Sequence, residues 1–193
     1  MSTLNLTLEL ERLIAHIAGH VEEFGHIDPQ RVLVCVSSTR GGGVHGTYAK
    51  IHPLRFEDGT RCKTIRRGLR RHDYEMPLIT HRGVEMLYVV YFLVPRFLNL
   101  PLREKLITLF HELYHISAEF NGDIRRFPGK NYAHGSSTRK YNAYMGKLVD
   151  SYLGNLTDRG ALSFLEGDMD EIRGRFKAIV ARKMAAPRLR LVK

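Results

Sequence analysis

Within a helical pattern near the middle of the chain, His111, Glu112, Leu113, Tyr114 and His115 form the stretch that most narrows what this sequence can be. Residues four apart on an α-helix lie one turn above each other, so His111 and His115 can aim two imidazoles at one metal ion. Glu112 follows the first histidine by about 100° of rotation, beside that face. From Leu102 to Phe120 the apolar residues Leu106, Leu109, Phe110, Leu113, Ile116 and Phe120 fill one side of the expected helix, and Glu104, Thr108, His111, His115 and Glu119 fill the other. Pro101 suits the first turn and Asn121-Gly122 the stop. His16 and His20 have the same spacing without the context: Ile17 stands where the carboxylate should be, and both are expected to be surface histidines.

The donor types point to zinc, which in catalytic sites takes three protein ligands and leaves a fourth position for water. Glu119 shares the histidine face but would lie about 12 Å along a straight axis from His111, too far to close the site. The third ligand must come from chain that has turned back. Residues 121–138 are rich in Gly, Pro, Asn and Ser and contain one histidine, His134, which precedes Gly135-Ser136-Ser137. His134 is the expected third ligand, with Asp123 and Glu119 as the alternatives. Such a site would hold one Zn2+ per chain, with Glu112 as general base toward a water molecule.

The run from His111 to Tyr141, HELYHISAEFNGDIRRFPGKNYAHGSSTRKY, resembles a family of phage-associated metallopeptidases and, more distantly, the SprT-like zinc proteases. The resemblance spans about Leu87 to Val149 and implies a zincin-like zinc metallopeptidase, a hydrolase of peptide bonds. By that likeness His111, His115 and His134 are the ligands and Glu112 the base. The cysteine-rich zinc ribbon of some SprT-like proteins is absent. Asn121 stands where the metzincins have their third histidine. SprT-like proteases cleave proteins on DNA, so the resemblance also implies an alternative, a nucleic-acid-associated protein whose zinc is structural or whose proteolysis is directed at DNA-bound proteins.

The rest of the chain supplies an expected α+β frame: an N-terminal helix, a small mostly antiparallel sheet, the His-Glu helix lying across it, and C-terminal helices. Helical spacing runs over 7–24, and Arg31–Val36 suits a buried strand. Gly41, Gly43 and Gly46 satisfy a dinucleotide-loop spacing, but the following 47–56 segment looks extended, so no helix N-terminus is expected to receive a pyrophosphate. Glu57-Asp58-Gly59-Thr60 is a hairpin signal leading to a strand at 61–65. Met86–Val94 is continuously apolar, and helices are expected at 139–153 and 168–184. In a zincin-like fold, a strand beside the active helix can pair with an extended substrate backbone.

At 193 residues and 44% hydrophobic, the chain suits one domain, with a core of about 7–184 and a basic tail at 185–193. Cys35 and Cys62 are expected to be buried free thiols. No leader pattern or membrane-length apolar run is present, which makes the expected setting cytoplasmic. The net charge of +10 includes a basic run of Arg61, Lys63, Arg66, Arg67, Arg70 and Arg71, candidates for nucleic-acid contacts on an otherwise solvated face. Tyr132 and Tyr141 flank His134 and are candidates for transition-state contact, with packing the main expectation. Arg126 is a candidate for a substrate carboxylate or for pairing with Asp123.

Overall fold

Tyr88–Val94 is apolar at every position and has no face to give to water, so it becomes the middle strand of a sheet. The computed structural model describes residues 1–39, 46–127 and 138–192. In chain order the elements are β1 (Thr3–Asn5), α1 (Leu6–His20), β2 (Val32–Ser38), β3 (Ala49–Pro53), β4 (Cys62–Arg67), β5 (Arg70–Glu75), β6 (Thr80–His81), β7 (Val84–Glu85), β8 (Tyr88–Val94), α2 (Leu102–Tyr114), α3 (Thr138–Asn155), α4 (Met169–Arg175), β9 (Ala178–Val180) and β10 (Arg190–Leu191). The protein is α+β, with several small, mostly antiparallel sheets in place of the one expected.

The main sheet has the order β2-β8-β3, with β2 parallel to β8 and β3 antiparallel to it, Ala49 facing Phe92 and Pro53 facing Tyr88. Alternation sorts the side chains onto two faces. Val32, Val34, Val36, Tyr88, Val90 and Phe92 join the large core beneath α1 and α2, while Leu33, Cys35, Val89 and Tyr91 join a smaller cluster on the other side. Leu106, Leu109, Phe110 and Leu113 of α2 are all buried in the large core, each contributing about 1.5–3 kcal/mol. α2 packs against β3 and α3. Its histidine face is thereby turned toward the sheet edge.

Several boundaries differ from the sequence-based expectations. α1 stops at His20, and Phe24 reaches the core through a short 3-10 turn at Glu22–Phe24. The Glu57–Gly59 segment makes no hairpin. Arg55 donates its amide to the Gly122 carbonyl (3.0 Å), the chain leaves the main sheet, and β4 pairs with β5 across Gly68-Leu69. Gly68 takes the positive φ of 61° that this two-residue connection needs. The helix expected at 168–184 ends at Arg175, because Ala178–Val180 pairs in parallel with β1. Its start follows from a capping box between Asp168 and Glu171. Cys35 is buried, its thiol pushed up to about 11 by that burial, but Cys62 is exposed on β4. No described helix is long and apolar enough to cross a membrane.

Lys105, in the second turn of α2, is 0% exposed and donates to the Leu165 carbonyl (2.6 Å) and to that of Gly167 (2.5 Å). Burial lowers its pKa from 10.5 to about 8. The unfolded chain therefore holds more protons at this group than the folded one between those values, so Lys105 adds stability as pH rises from about 8 toward about 10, while the buried Cys35 thiol opposes it from about 9 and tyrosine ionisation from about 10. Denaturant titrations should isolate the Lys105 part as the difference between wild type and Lys105→Met, which should grow by about 2 kcal/mol between those pH values.

Candidate functional site

α2 ends earlier than its apolar periodicity implies, and the site is built around that ending. Tyr114 is its last residue and His115 is the C-cap, with the His115 amide donating to Glu112 and Leu113. From there the chain turns into a small antiparallel hairpin. Ile116 bridges Ile124, the Ser117 amide donates to Asp123 (3.2 Å), and the Arg125 amide donates to the His115 carbonyl (2.7 Å). The tip needs two left-handed residues, Phe120 (φ 48°) and Gly122 (φ 89°). A Cβ on Gly122 would stand 2.5 Å from Arg55 Cγ. From the centre of the sheet, the Tyr88 hydroxyl donates to the Asp123 carbonyl (2.8 Å) and accepts from the Gly122 amide (3.0 Å).

His111 and His115 lie together, with ring centroids 4.9 Å apart. Tyr141 of α3 packs on both, 4.8 Å from His111 and 5.7 Å from His115, and its hydroxyl donates to the His111 carbonyl (3.3 Å). That is the packing use expected of it, backed by Tyr114 and Phe127. Asn142 places its side-chain oxygen 3.1 Å from His111 Nδ1. With Nδ1–H as donor there, the lone pair of His111 is on Nε2.

Glu112 is only 8% exposed. Burial pushes its carboxyl up to about 7, against the Ile51 backbone amide, which bonds to it and holds it down. A cation beside it would lower it further. Ile51 belongs to β3, the open edge of the main sheet. The bonds from Leu93 N–H to Tyr48 and from Leu54 N–H to Leu87 set the phase of the ladder, so Ala49 and Ile51 turn their backbone groups away from β8.

Two recesses run along this edge. One, of about 410 Å³, is lined by Ala49–Pro53, His111, Glu112, His115 and Ile124. The other, of about 260 Å³, is lined by Thr47, Tyr48, Ala49, Glu104, Ile107, Thr108, His111, Glu112 and Asn142. They share Ala49, His111 and Glu112, which makes one groove along β3 with the two site residues at its middle.

The other sequence-based candidates fall as follows. His134 and Tyr132 lie outside the described residues, as do Gly41 and Gly43 of the glycine loop. Asp123 is buried and bound by Arg126 at 2.8 and 3.0 Å, the pairing expected of that arginine. Glu119 is exposed, off the helix, and accepts from Asn121 (3.1 Å). Among the described residues no third His, Cys, Asp or Glu side chain completes a metal-binding group with His111 and His115. His16 is half-buried and bonded to Tyr152 (2.8 Å), while His20 is exposed and stacks on it. Lys63, Arg66, Arg67, Arg70 and Arg71 fall on the β4–β5 hairpin, and Arg61 stands immediately before it. Sequence reasoning missed Asn142, whose only trace was its place beside Tyr141, and the Ile51 amide, which leaves no trace in a sequence.

No family model, curated protein or solved structure matches this chain.

The hairpin after His115 depends on Tyr88 and Gly122. Tyr88→Phe orphans the Gly122 amide and leaves the Asp123 carbonyl to the Ser117 amide alone, and should cost about 1–3 kcal/mol. Gly122→Ala adds left-handed strain and a clash, so it should cost more than about 1 kcal/mol. Chemical denaturation measures both; a neutral Gly122→Ala would refute the geometry given for the turn.

Proposed function

We propose that the protein is a zinc-dependent metallopeptidase acting on extended polypeptide. The observation that carries this reading is the groove along β3, which has two adjacent imidazoles and a buried carboxylate at its middle. Two nitrogen donors one helical turn apart, one of them held by Asn142 through Nδ1, fit zinc, a borderline-soft ion that favours imidazole. His111 and His115 would hold the metal, with His134 as the proposed third ligand. Bound zinc would supply Lewis-acid polarisation of the scissile carbonyl and a water of lowered pKa.

The chain's own groups account for the rest. The outward-turned backbone of Ala49 and the outward-turned carbonyl of Ile51 offer an extended substrate the main-chain pairing of an added strand, the Ile51 amide being engaged by Glu112, and the groove continues on both sides of Glu112. Glu112 takes a proton on its carboxylate from the attacking water and returns it to the leaving amine nitrogen. Tyr141 keeps the imidazoles oriented by packing, and Asn142 keeps the His111 tautomer whose lone pair is on Nε2.

Elemental analysis of untagged protein should find about one zinc per chain, sharply reduced in His134→Ala. Asn142→Ala should weaken zinc affinity by about tenfold or more with little change in melting temperature. Glu112→Gln should keep its zinc while hydrolysis of an unfolded protein substrate falls by about a hundredfold or more. A fully active Glu112→Gln would remove that residue from the base role, and a wild type that binds no zinc after reconstitution would overturn the reading.

A further inference from the structure

The β4–β5 hairpin has a register that weakens it. Arg66 stands opposite Arg71 and Arg67 opposite Arg70, and like charges facing each other across an antiparallel pair are destabilising. No described side chain from Arg61 to Glu75 is buried, although a two-stranded ribbon is marginal in water without a core. Among the described residues, strand pairing from outside the hairpin reaches its base. β10 pairs Arg190 with Glu75 and Leu191 with Tyr74, and the Val192 amide reaches the Asp73 carbonyl (2.7 Å). Among the described residues the carboxylates stop near there as well: Arg61 pairs with Glu75, Lys63 with Glu57 (3.3 Å), and Asp73 accepts from the Thr64 hydroxyl (2.6 Å). Beyond it Arg66 bonds the Gly68 carbonyl (3.0 Å), and among the described residues no carboxylate meets Arg66, Arg70 or Arg71. Leu69 at the apex is 94% exposed.

We propose that this hairpin is an arm that binds duplex DNA by entering the major groove. That groove is about 12 Å wide and admits a two-stranded ribbon. Its phosphates stand on both walls. Strand alternation puts Arg66 and Arg71 on one face of the ribbon and Arg70 on the other, so each face meets a wall. Leu69 leads, where an apolar side chain can meet thymine methyl groups. An anionic membrane explains the arm less well, because its headgroups lie in one plane and would engage one face. One leucine, worth about 1.5–3 kcal/mol, is also a weak anchor. The proposal does not depend on a metal at His111 and His115.

Fluorescence anisotropy with a labelled DNA duplex, titrated over about 50 to 200 mM salt, tests it on the full chain. Wild type should bind at low salt and weaken steeply as salt rises. Arg66→Ala/Arg71→Ala should lower the slope of log affinity against log salt by about two, while Arg66→Lys/Arg71→Lys should keep it. Removing the facing arginines relieves repulsion, so the alanine variant should melt at or above the wild-type temperature, which separates lost binding from lost folding. Absence of duplex binding at low salt, binding unchanged in the alanine variant, or equally tight hairpin-dependent binding of a single strand would overturn the proposal. So would hairpin-dependent binding to 3:1 phosphatidylcholine–phosphatidylserine vesicles with none to duplex.

Discussion

Burial of the apolar stripe of α2 is the constraint on which the rest of the site depends. Leu106, Leu109, Phe110 and Leu113 can all enter the core in only one rotation of the helix, and Phe24 closes edge-on against Phe110 with centroids 5.1 Å apart. That rotation leaves the two imidazoles beside α3 and drives Glu112 under the edge of β3. The hydrophobic gain is several times larger than the cost of hiding one carboxyl group, so the core dictates the position of the polar residues.

Legibility followed the range of the forces involved. The unbroken apolar runs of β2 and β8 and the helical repeat of α2 are properties of neighbouring residues, and they were readable. So was the pairing of His111 with His115, because helical geometry alone sets it. The end of α2 was not readable, because Ile116 and Phe120 keep the apolar rhythm while their backbone is taken by a hairpin anchored on Tyr88, a residue from another element. The fate of 178–180 was hidden for the same reason: its partner is the beginning of the chain. Glu57-Asp58-Gly59 carries turn chemistry and does turn, but the partner strands are chosen by the distant Gly122 carbonyl. A sequence shows where a chain can bend more clearly than what it bends toward.

The molecule divides its polar residues between two physical settings. Around Glu112 they are held on rigid elements and bonded from several sides: the Ile51 amide on the carboxylate, Asn142 on one imidazole, Tyr141 against both. On the β4–β5 hairpin they stand in water, in a register that repels itself. Natural chains tend to be locally consistent, and departures from that consistency concentrate where something other than stability is being served. Opposed arginines at an uncovered tip are such a departure, and so is a nearly dry carboxyl beside two histidines.

The parallel pairing of β1 with β9 has a consequence for how the protein comes into being. The hydrogen bond from the Arg182 amide to Thr7 joins groups 175 positions apart. At a synthesis rate of about 5–20 residues per second, Thr7 waits roughly ten seconds or more for that partner to leave the ribosome. α1 and β2 can meet early, but the β1–β9 clasp can close only after everything between them has been made. A contact that closes so long a loop carries a larger loop-entropy cost than any local one.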